Sequence, residues 1–204
     1  QVRQADCPAL ANVDLPRLHA RSTEIAADAD ATAARLVSET PLTPEAEAAE
    51  TRIRVRVPPT GMWALDNRVT LWRTDAGWRM ARRDIDHRRP PPPPAPPNAP
   101  ADWAPPPNPN EIVREGPVLA EDGAQLDSML ANPCLELEPT RFSHTIPMRR
   151  GGDWVCVPDS SYWAAEIIQP GRPPRLISIG CENDLGMSAL ARMAASARLP
   201  AEQP

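Results

Sequence analysis

The sequence predicts an α+β protein, built as two small units that each combine helices with an antiparallel sheet. Apolar residues recur at helical spacing near the start and at the end of the chain, whereas other segments alternate with a period of two, as half-buried strands do. A proline-rich stretch at residues 88–110 separates these regions. The predicted units are therefore residues 1–87 and 111–204, joined by a proline-rich strap.

The composition allows a buried core and excludes some classes of function. The chain has 204 residues, 41% of them apolar and 24% charged, with a formal net charge of −5. Proteins that bind nucleic acid need a basic surface to displace counterions, so we expect no nucleic-acid partner. No apolar run approaches the roughly 20 residues of a membrane helix, so we expect no membrane-spanning segment.

Three features predict an exported bacterial protein. All 22 basic residues are arginine, a bias typical of GC-rich coding. The chain begins at Gln1, as a mature chain does after signal-peptide cleavage, with artificial shortening as the alternative. The cysteines are even in number, which favours two disulfides in an oxidising compartment. They are Cys7, Cys134, Cys156 and Cys181. We expect a periplasmic or extracellular location.

Zinc binding and reduced, buried thiols are the alternatives to disulfides for these cysteines. A zinc site would take His144 together with Cys134, Cys156 and Cys181. Structural zinc sites have closely paired ligands such as Cys-x-x-Cys, and this spacing lacks them. We therefore expect disulfides and no metal.

The first unit is predicted to open with an irregular segment, residues 1–20, followed by a helix from Ser22. Its apolar residues fall on one face at helical spacing. That face comprises Ile25, Ala29, Ala33, Leu36 and Val37. Pro41 ends the helix, and a second short helix is predicted over residues 44–50, with Pro44 in its first turn.

A strand is predicted over residues 52–57, where arginine and apolar residues alternate strictly. The apolar side chains point inward, and Arg52, Arg54 and Arg56 point to water or to a partner. We interpret this strand as a possible sheet edge and its arginines as an interaction site.

A hairpin is predicted from strands at residues 69–73 and 78–85. Gly77 supplies the positive φ that its tight turn needs. Trp72 and Trp78 flank the turn, where they could approach each other across the strands as part of the core. Exposed, they would instead suit a sugar or a protein partner.

Residues 69–86, with the order of apolar strand, TDAGWRMA and polar exit, resemble the last hairpin of NTF2-like and SnoaL-type domains. That resemblance implies a curved antiparallel sheet in a cone-shaped α+β fold, whose members range from enzymes to association modules. Residues 154–181 are similar to short secreted bacterial modules of unknown function, on a pattern that implies export. The pattern consists of Cys156, Pro158, Asp159, Trp163, Glu166 and Arg175.

The second unit is predicted to contain a short helix capped by Asp122, a long loop over 135–152 with an edge strand near 142–146, and strands at 154–157, 162–168 and 175–180. A closing helix is predicted over residues 185–198, ended by Pro200. Its buried stripe is formed by Leu190, Met193, Ala194 and Ala197.

The chain offers few candidates for catalysis. Asp84, Asp86 and His87 form the best polar cluster, but a solvated strand end neutralised by the following arginines is the simpler interpretation. Residues 159–161 are better explained as a turn than as a nucleophile site. Gly-rich phosphate loops and common hydrolase motifs are absent from the sequence. We expect a non-enzymatic protein without a cofactor.

The proline-rich stretch alone suggests a stiff polyproline spacer. Trp103 stands inside it without a local core, so we predict that it anchors the stretch to a surface and serves as an interaction residue. Cys7 precedes the stretch and the other cysteines follow it. If all four pair within one chain, Cys7 must join the second half, and the stretch becomes a strap.

The sequence therefore favours an exported, non-enzymatic subunit or accessory of a periplasmic or cell-surface assembly, which binds protein partners or copies of itself. The alternative is an exported ligand-binding or enzyme-inhibitor module, which an apolar pocket inside the curved sheet would favour. A hydrolase or other enzyme that uses Asp84, Asp86 and His87 is the third hypothesis.

Overall fold

The computed structural model describes residues 2–59, 65–88, 98, 108–142, 145–149, 152–155, 162–180 and 183–200, with backbone alone for 145–149 and 152–155. The helices are α1 (Leu15–Glu24), α2 (Ala26–Ser38), α3 (Pro44–Ala48), α4 (Ala120–Leu130) and α5 (Gly186–Ser196). The strands are β1 (Arg52–Val57), β2 (Leu65–Thr74), β3 (Gly77–Asp86), β4 (Glu111–Pro117), β5 (Arg141–Phe142), β6 (Thr145–Arg149), β7 (Gly152–Val155), β8 (Trp163–Ile168) and β9 (Arg175–Ile179). Short 3₁₀ turns lie at Gln4–Asp6, Pro8–Leu10 and Pro133–Leu137.

The predicted α+β class is confirmed, but the expected pair of separate sheets is corrected. One seven-stranded sheet has the order β4-β3-β2-β1-β8-β9-β5, in which only the β5–β9 contact is parallel. β1 pairs with β2 on one side and with β8, from the other half of the chain, on the other. The regions 1–87 and 111–204 thus share one sheet, because β1 pairs along one edge with β2 of its own region and along the other edge with β8 of the second region. β6 and β7 form a separate two-stranded ribbon.

The proline-rich stretch connects neighbouring strands. β3 and β4 pair antiparallel on either side of it, and the Asp86 amide donates to the Asn110 carbonyl at 2.8 Å. The two ends of the stretch therefore meet, which corrects the idea of a spacer between units. Trp103 lies outside the described residues.

Helices cover the sheet on both faces. On one face α5 packs on β1 and β2, and the main hydrophobic core joins Ile53, Leu71 and Leu190. On the other face α2 packs on β1, β8 and β9, and α3 packs on β2. Helices therefore pack against both faces of β1.

The N-terminal region is more regular than predicted. Helix α1 begins within the segment expected to be irregular, because Asp14 accepts a hydrogen bond from the Arg17 amide at 3.2 Å and Pro16 lies in the first turn. The helix predicted from Ser22 is in fact two helices that join at Ile25. The short helix at Pro44 is confirmed.

The disulfide expected to join the two halves is present between Cys7 and Cys134, with a sulfur–sulfur distance of 2.03 Å. It links residues 127 positions apart. Cys156 and Cys181 lie outside the described residues, as does His144.

The C-terminal region confirms the closing helix and the strands at 162–168 and 175–180. Asp122 does not cap α4, which begins two residues earlier; its carboxylate instead accepts the Arg198 amide at 2.8 Å. The strand expected at 154–157 lies at β7, and β4 was not predicted.

Candidate functional site: an exposed sheet edge

The predicted interaction strand, β1, is the central strand of the sheet and not an edge. Its arginine side chains are 11%, 12% and 9% exposed at Arg52, Arg54 and Arg56. The expectation that they face water or a partner is therefore wrong. Strict alternation separates two faces of a strand, but here α2 and α3 cover the polar face as well.

Two of these arginines hold helix ends. Arg54 donates to the Val37 carbonyl at 2.6 Å and to the Thr40 hydroxyl at 2.8 Å. Arg52 donates to the carbonyls of Ala46 and Glu47, at 2.9 and 3.0 Å. Because the last carbonyls of a helix lack partners within the helix, the arginines satisfy the ends of α2 and α3.

The third arginine belongs to a buried ion cluster around Asp66, whose side chain is 1% exposed. Arg56 contacts both carboxylate oxygens at 3.1 and 3.0 Å, and Arg68 reaches one at 2.7 Å. Glu39 lies 2.6 Å from Arg56 on the outer side. Sequence reasoning missed Asp66, since nothing in its local pattern marks it as the partner of two arginines.

Electrostatics keep Asp66 ionised. Burial raises the pKa of its carboxyl, but hydrogen bonds from Arg68 and Arg56 more than offset this, so its pKa lies below the ordinary value. Every charge of the cluster has a near neighbour of opposite sign. We therefore assign the cluster a structural role.

The strand end at Asp84, Asp86 and His87 is largely neutralised by its neighbours. Arg82 contacts Asp84 at 2.9 Å, and Arg88 contacts Asp86 at 2.8 Å. The His87 ring nitrogen Nε2 lies 3.7 Å from the Asp66 carboxylate. Within the described ranges, no group of three or more histidines, cysteines and acids is placed to hold a metal ion.

Both hairpin tryptophans are in the core, as predicted, but they do not approach each other. Trp72 pairs in register with Arg79, and Trp78 with Arg73, so they lie on opposite faces of the sheet. Trp72 is fully buried beside Ala46, and the Trp78 ring donates to Asp127 at 2.8 Å. Neither side chain is available to a ligand.

An open groove of about 940 Å³ lies along the N-terminal segment. Its walls include Gln4, Asn12 and Asp14. Gln4 donates to the carbonyls of Leu10 and Val13, and Asp14 caps α1. Gln4 and Asp14 therefore hold the segment itself, and the groove lies outside the sheet, unlike the pocket that a ligand-binding module would need.

The exposed apolar side chains concentrate at β4. Val113 is 67% exposed and Ile112 is 50% exposed, although they are adjacent and lie on opposite faces of the sheet. Leu65, at the start of β2, is 43% exposed at the same end of the sheet. An edge strand bare on both faces is a site at which another chain can pair.

The main chain of β4 is also open on its outer side. The Asp86 amide donates to Asn110, and the Val118 amide donates to the Trp78 carbonyl at 2.9 Å. Since bonding alternates along a strand, the residues of β4 with even numbers face β3, and Val113 and Glu115 point their N–H and C=O groups outward. In the part of the chain that the structure describes, no strand pairs with this side.

Comparison with known proteins adds no relative: no family model, no curated protein and no solved structure matches this chain. The resemblance of residues 69–86 to NTF2-like domains, and that of 154–181 to secreted modules, therefore stay predictions.

Proposed function

We propose that this protein is an exported, non-catalytic subunit or accessory of a protein assembly, and that it binds its partner through β4. The observation that carries the proposal is the exposure of Ile112 and Val113, 50% and 67%, on an edge strand of the sheet. An extended segment added to such an edge gains main-chain hydrogen bonds as well as apolar contact.

The remaining charged groups support a binding role over a catalytic one. The polar clusters at Asp66 and at Asp84 consist of arginine–carboxylate pairs on the protein's own strands. Catalytic acids and bases need room for a substrate beside them, and these groups contact each other instead.

The disulfide supports the exported location. The Cys7–Cys134 bond is stable in an oxidising compartment, whereas reductants in the bacterial cytosol keep most thiols reduced. No described helix is long and apolar enough to cross a membrane.

The proposal is tested by measuring the molar mass of the protein as it is isolated from its source. Light scattering should give a mass well above the 22.3 kDa of one chain. Val113→Asp should shift it to the mass of a monomer, because a charge at the edge opposes pairing. The matched control is Leu42→Asp, at another exposed apolar residue, 39% exposed and distant in sequence from β4.

An assembly of the same size with Val113→Asp would remove β4 from the interface. A monomer of about one chain mass in the unmodified protein would contradict the proposal itself.

A further inference from the structure

We propose that the occupant of the β4 edge is a second copy of this chain, paired antiparallel with the first about a two-fold axis at Ile112. This inference rests on the proposed function and names the partner within the assembly. Its evidence is the direction of the main-chain groups of β4, the order of its side chains, and the charges that a symmetric pair brings together.

The acids on the edge are already neutralised by arginines of β3, so they do not select a charged partner strand. The Glu111 side chain is only 17% exposed, and Arg83 donates to it at 2.8 Å. Glu115 lies 3.6 Å from Arg79. The adjacent apolar pair of β4 remains uncovered. An apolar strand is therefore the complement of this edge, and β4 of a second copy presents the same pair.

The main chain of β4 restricts how two copies can pair. Residues with odd numbers, such as Val113, point their N–H and C=O groups outward. In an antiparallel pair these residues face each other, so the two-fold axis passes through a residue and not between two. The Glu111 amide donates to the Asn108 carbonyl at 2.9 Å, but the Glu111 carbonyl points outward. It can therefore accept the Val113 amide of the second copy.

The charges of β4 select one register within residues 111–115. An axis at any of the three charged residues of this segment places that residue opposite its own equivalent. An axis at Val113 places Glu111 of one copy opposite Glu115 of the other. Like charges directly opposite in neighbouring strands destabilise the pair. The axis at Ile112 avoids such contacts.

The axis at Ile112 also covers both exposed apolar residues. Ile112 lies opposite its own equivalent, in a pair without main-chain hydrogen bonds, where side chains are closest. On the other face of the sheet, Val113 lies opposite Glu111 of the second copy. The two residues are 50% and 67% exposed in one chain, so pairing removes apolar surface from water on both faces.

The same register brings opposite charges together across the axis. Arg82 and Arg114 are in register on one face of the sheet, and in the second copy that row continues with Asn110 and then Asp86. Strands lie about 4.8 Å apart, so Arg114 and Asp86 are about 10 Å apart between Cα atoms, which their side chains span. The Asp86 carboxylate also contacts Arg88 at 2.8 Å and has acceptor sites for both arginines.

This charge contact arises only between copies. Within one chain, Arg114 and Asp86 lie in rows four residues apart along the strands, which is about 13 Å. Exchanging the two charges therefore tests the register, because it changes nothing that a single chain brings together.

A cysteine at the axis tests the register in the full-length protein. In Ile112→Cys the two introduced residues lie about 4.5 Å apart between Cα atoms, within the range of a disulfide. Mild oxidation should therefore give a covalent dimer on non-reducing electrophoresis. Val113→Cys is the matched control, because its equivalents lie diagonally, about 8 Å apart, and should give little dimer. The unmodified protein shows what its own cysteines contribute.

Sedimentation velocity over a concentration series measures the pairing itself. Val113→Pro removes the outward N–H and should abolish the dimer, whereas Val113→Thr keeps the N–H and should retain it. Arg114→Glu should raise the dimer Kd about tenfold, because one contact on each side of the axis changes from attraction to repulsion. Adding Asp86→Arg to Arg114→Glu should restore the Kd. Urea unfolding checks that each variant is folded.

A chain that stays monomeric at every concentration, a covalent dimer from Val113→Cys in place of Ile112→Cys, or a charge exchange that does not restore the Kd would overturn the inference. If the purified chain is monomeric while Val113→Asp still releases it from its native assembly, the proposed function stands and the occupant is a different protein. A monomer in the native source would contradict both.

Discussion

β1 and β4 belong to the same sheet, and their side chains are exposed in the opposite order to the one that their compositions predict. β1 carries an arginine at every second residue, yet these side chains are 9–12% exposed. β4 carries the adjacent apolar pair Ile112 and Val113, which are 50% and 67% exposed. The polar strand lies inside the molecule and the apolar pair lies on its surface.

Position in the sheet accounts for this difference. β1 is fourth of seven strands, and helices pack on both of its faces. Its arginine side chains therefore need hydrogen-bond partners within the protein. They find helix carbonyls and the carboxylate of Asp66. β4 is the last strand, and no helix end or strand offers such partners along its outer side within the described residues. The comparison separates charges that stabilise the fold from apolar side chains that are available for binding.

The largest effect is expected from Asp66→Ala. Loss of this carboxylate leaves Arg56 and Arg68 buried without their main counter-charge, which costs about 3 kcal/mol of unfolding free energy, reduced somewhat by Glu39. Urea unfolding measures it. The control is Glu24→Ala, which breaks an exposed ion pair with Arg21 and should cost less than about 1 kcal/mol. Equal losses in both variants would contradict the buried role of the Asp66 cluster.

A smaller effect distinguishes valines on the two strands. Val55 on β1 is fully buried, so Val55→Ala should cost about 2 kcal/mol, from lost apolar burial and a small cavity. Val113→Ala on β4 should change the unfolding free energy by less than about 0.5 kcal/mol. Similar losses for both, measured by thermal unfolding of the monomer, would mean that β4 is covered by the protein itself.

The smallest effect is the response of Asp66 to acid. Its pKa in the folded state lies below the ordinary 3.8, since hydrogen bonds from Arg68 and Arg56 outweigh its burial. Unfolded chains therefore bind this proton more readily, and the stabilisation is complete above the ordinary value and lost as pH falls through the folded-state pKa. The unfolding free energy should fall less steeply below pH 4 in Asp66→Asn than in the unmodified protein.

Glu138 contributes to stability with a pH dependence opposite to that of Asp66. Burial raises the pKa of its carboxyl, although the amides of Met187 and Gly186 donate to it at 2.8 and 2.9 Å. Its contribution to stability therefore grows as pH falls, opposite to that of Asp66. Both proteins contain Glu138, so its contribution cancels when the unfolding free energy of Asp66→Asn is subtracted from that of the unmodified protein at each pH. An unchanged slope in the variant would mean that Asp66 titrates normally.

Local patterns in the sequence were enough to predict the hairpin of β2 and β3, the strand β1 and the helix α5. Their periodicity and the glycine at Gly77, with a φ of 120°, are properties of short segments. The sequence did not show that β1 pairs with β8, because register between distant strands depends on packing of the whole chain. The buried arginines follow from that pairing, and so were missed.

The exposed edge strand β4 was missed for a related reason. β4 contains Gly116 and Pro117 and follows the proline-rich stretch, so it has the composition of a loop. The adjacent apolar residues Ile112 and Val113 were the feature of the sequence that could have indicated an exposed edge strand. Without the position of β3 beside them, nothing distinguished an exposed pair from a buried one.

Amide hydrogen exchange along β4 tests the central claim most directly. In the free protein, the amides of Val113 and Glu115 should exchange almost as fast as in an unstructured chain, whereas that of Arg114 and those of β1 should be protected. In the protein isolated with its assembly, Val113 and Glu115 should become protected as well. Equal protection of Val113, Arg114 and Glu115 in the free monomer would contradict the account, because the edge would then be closed before any partner binds.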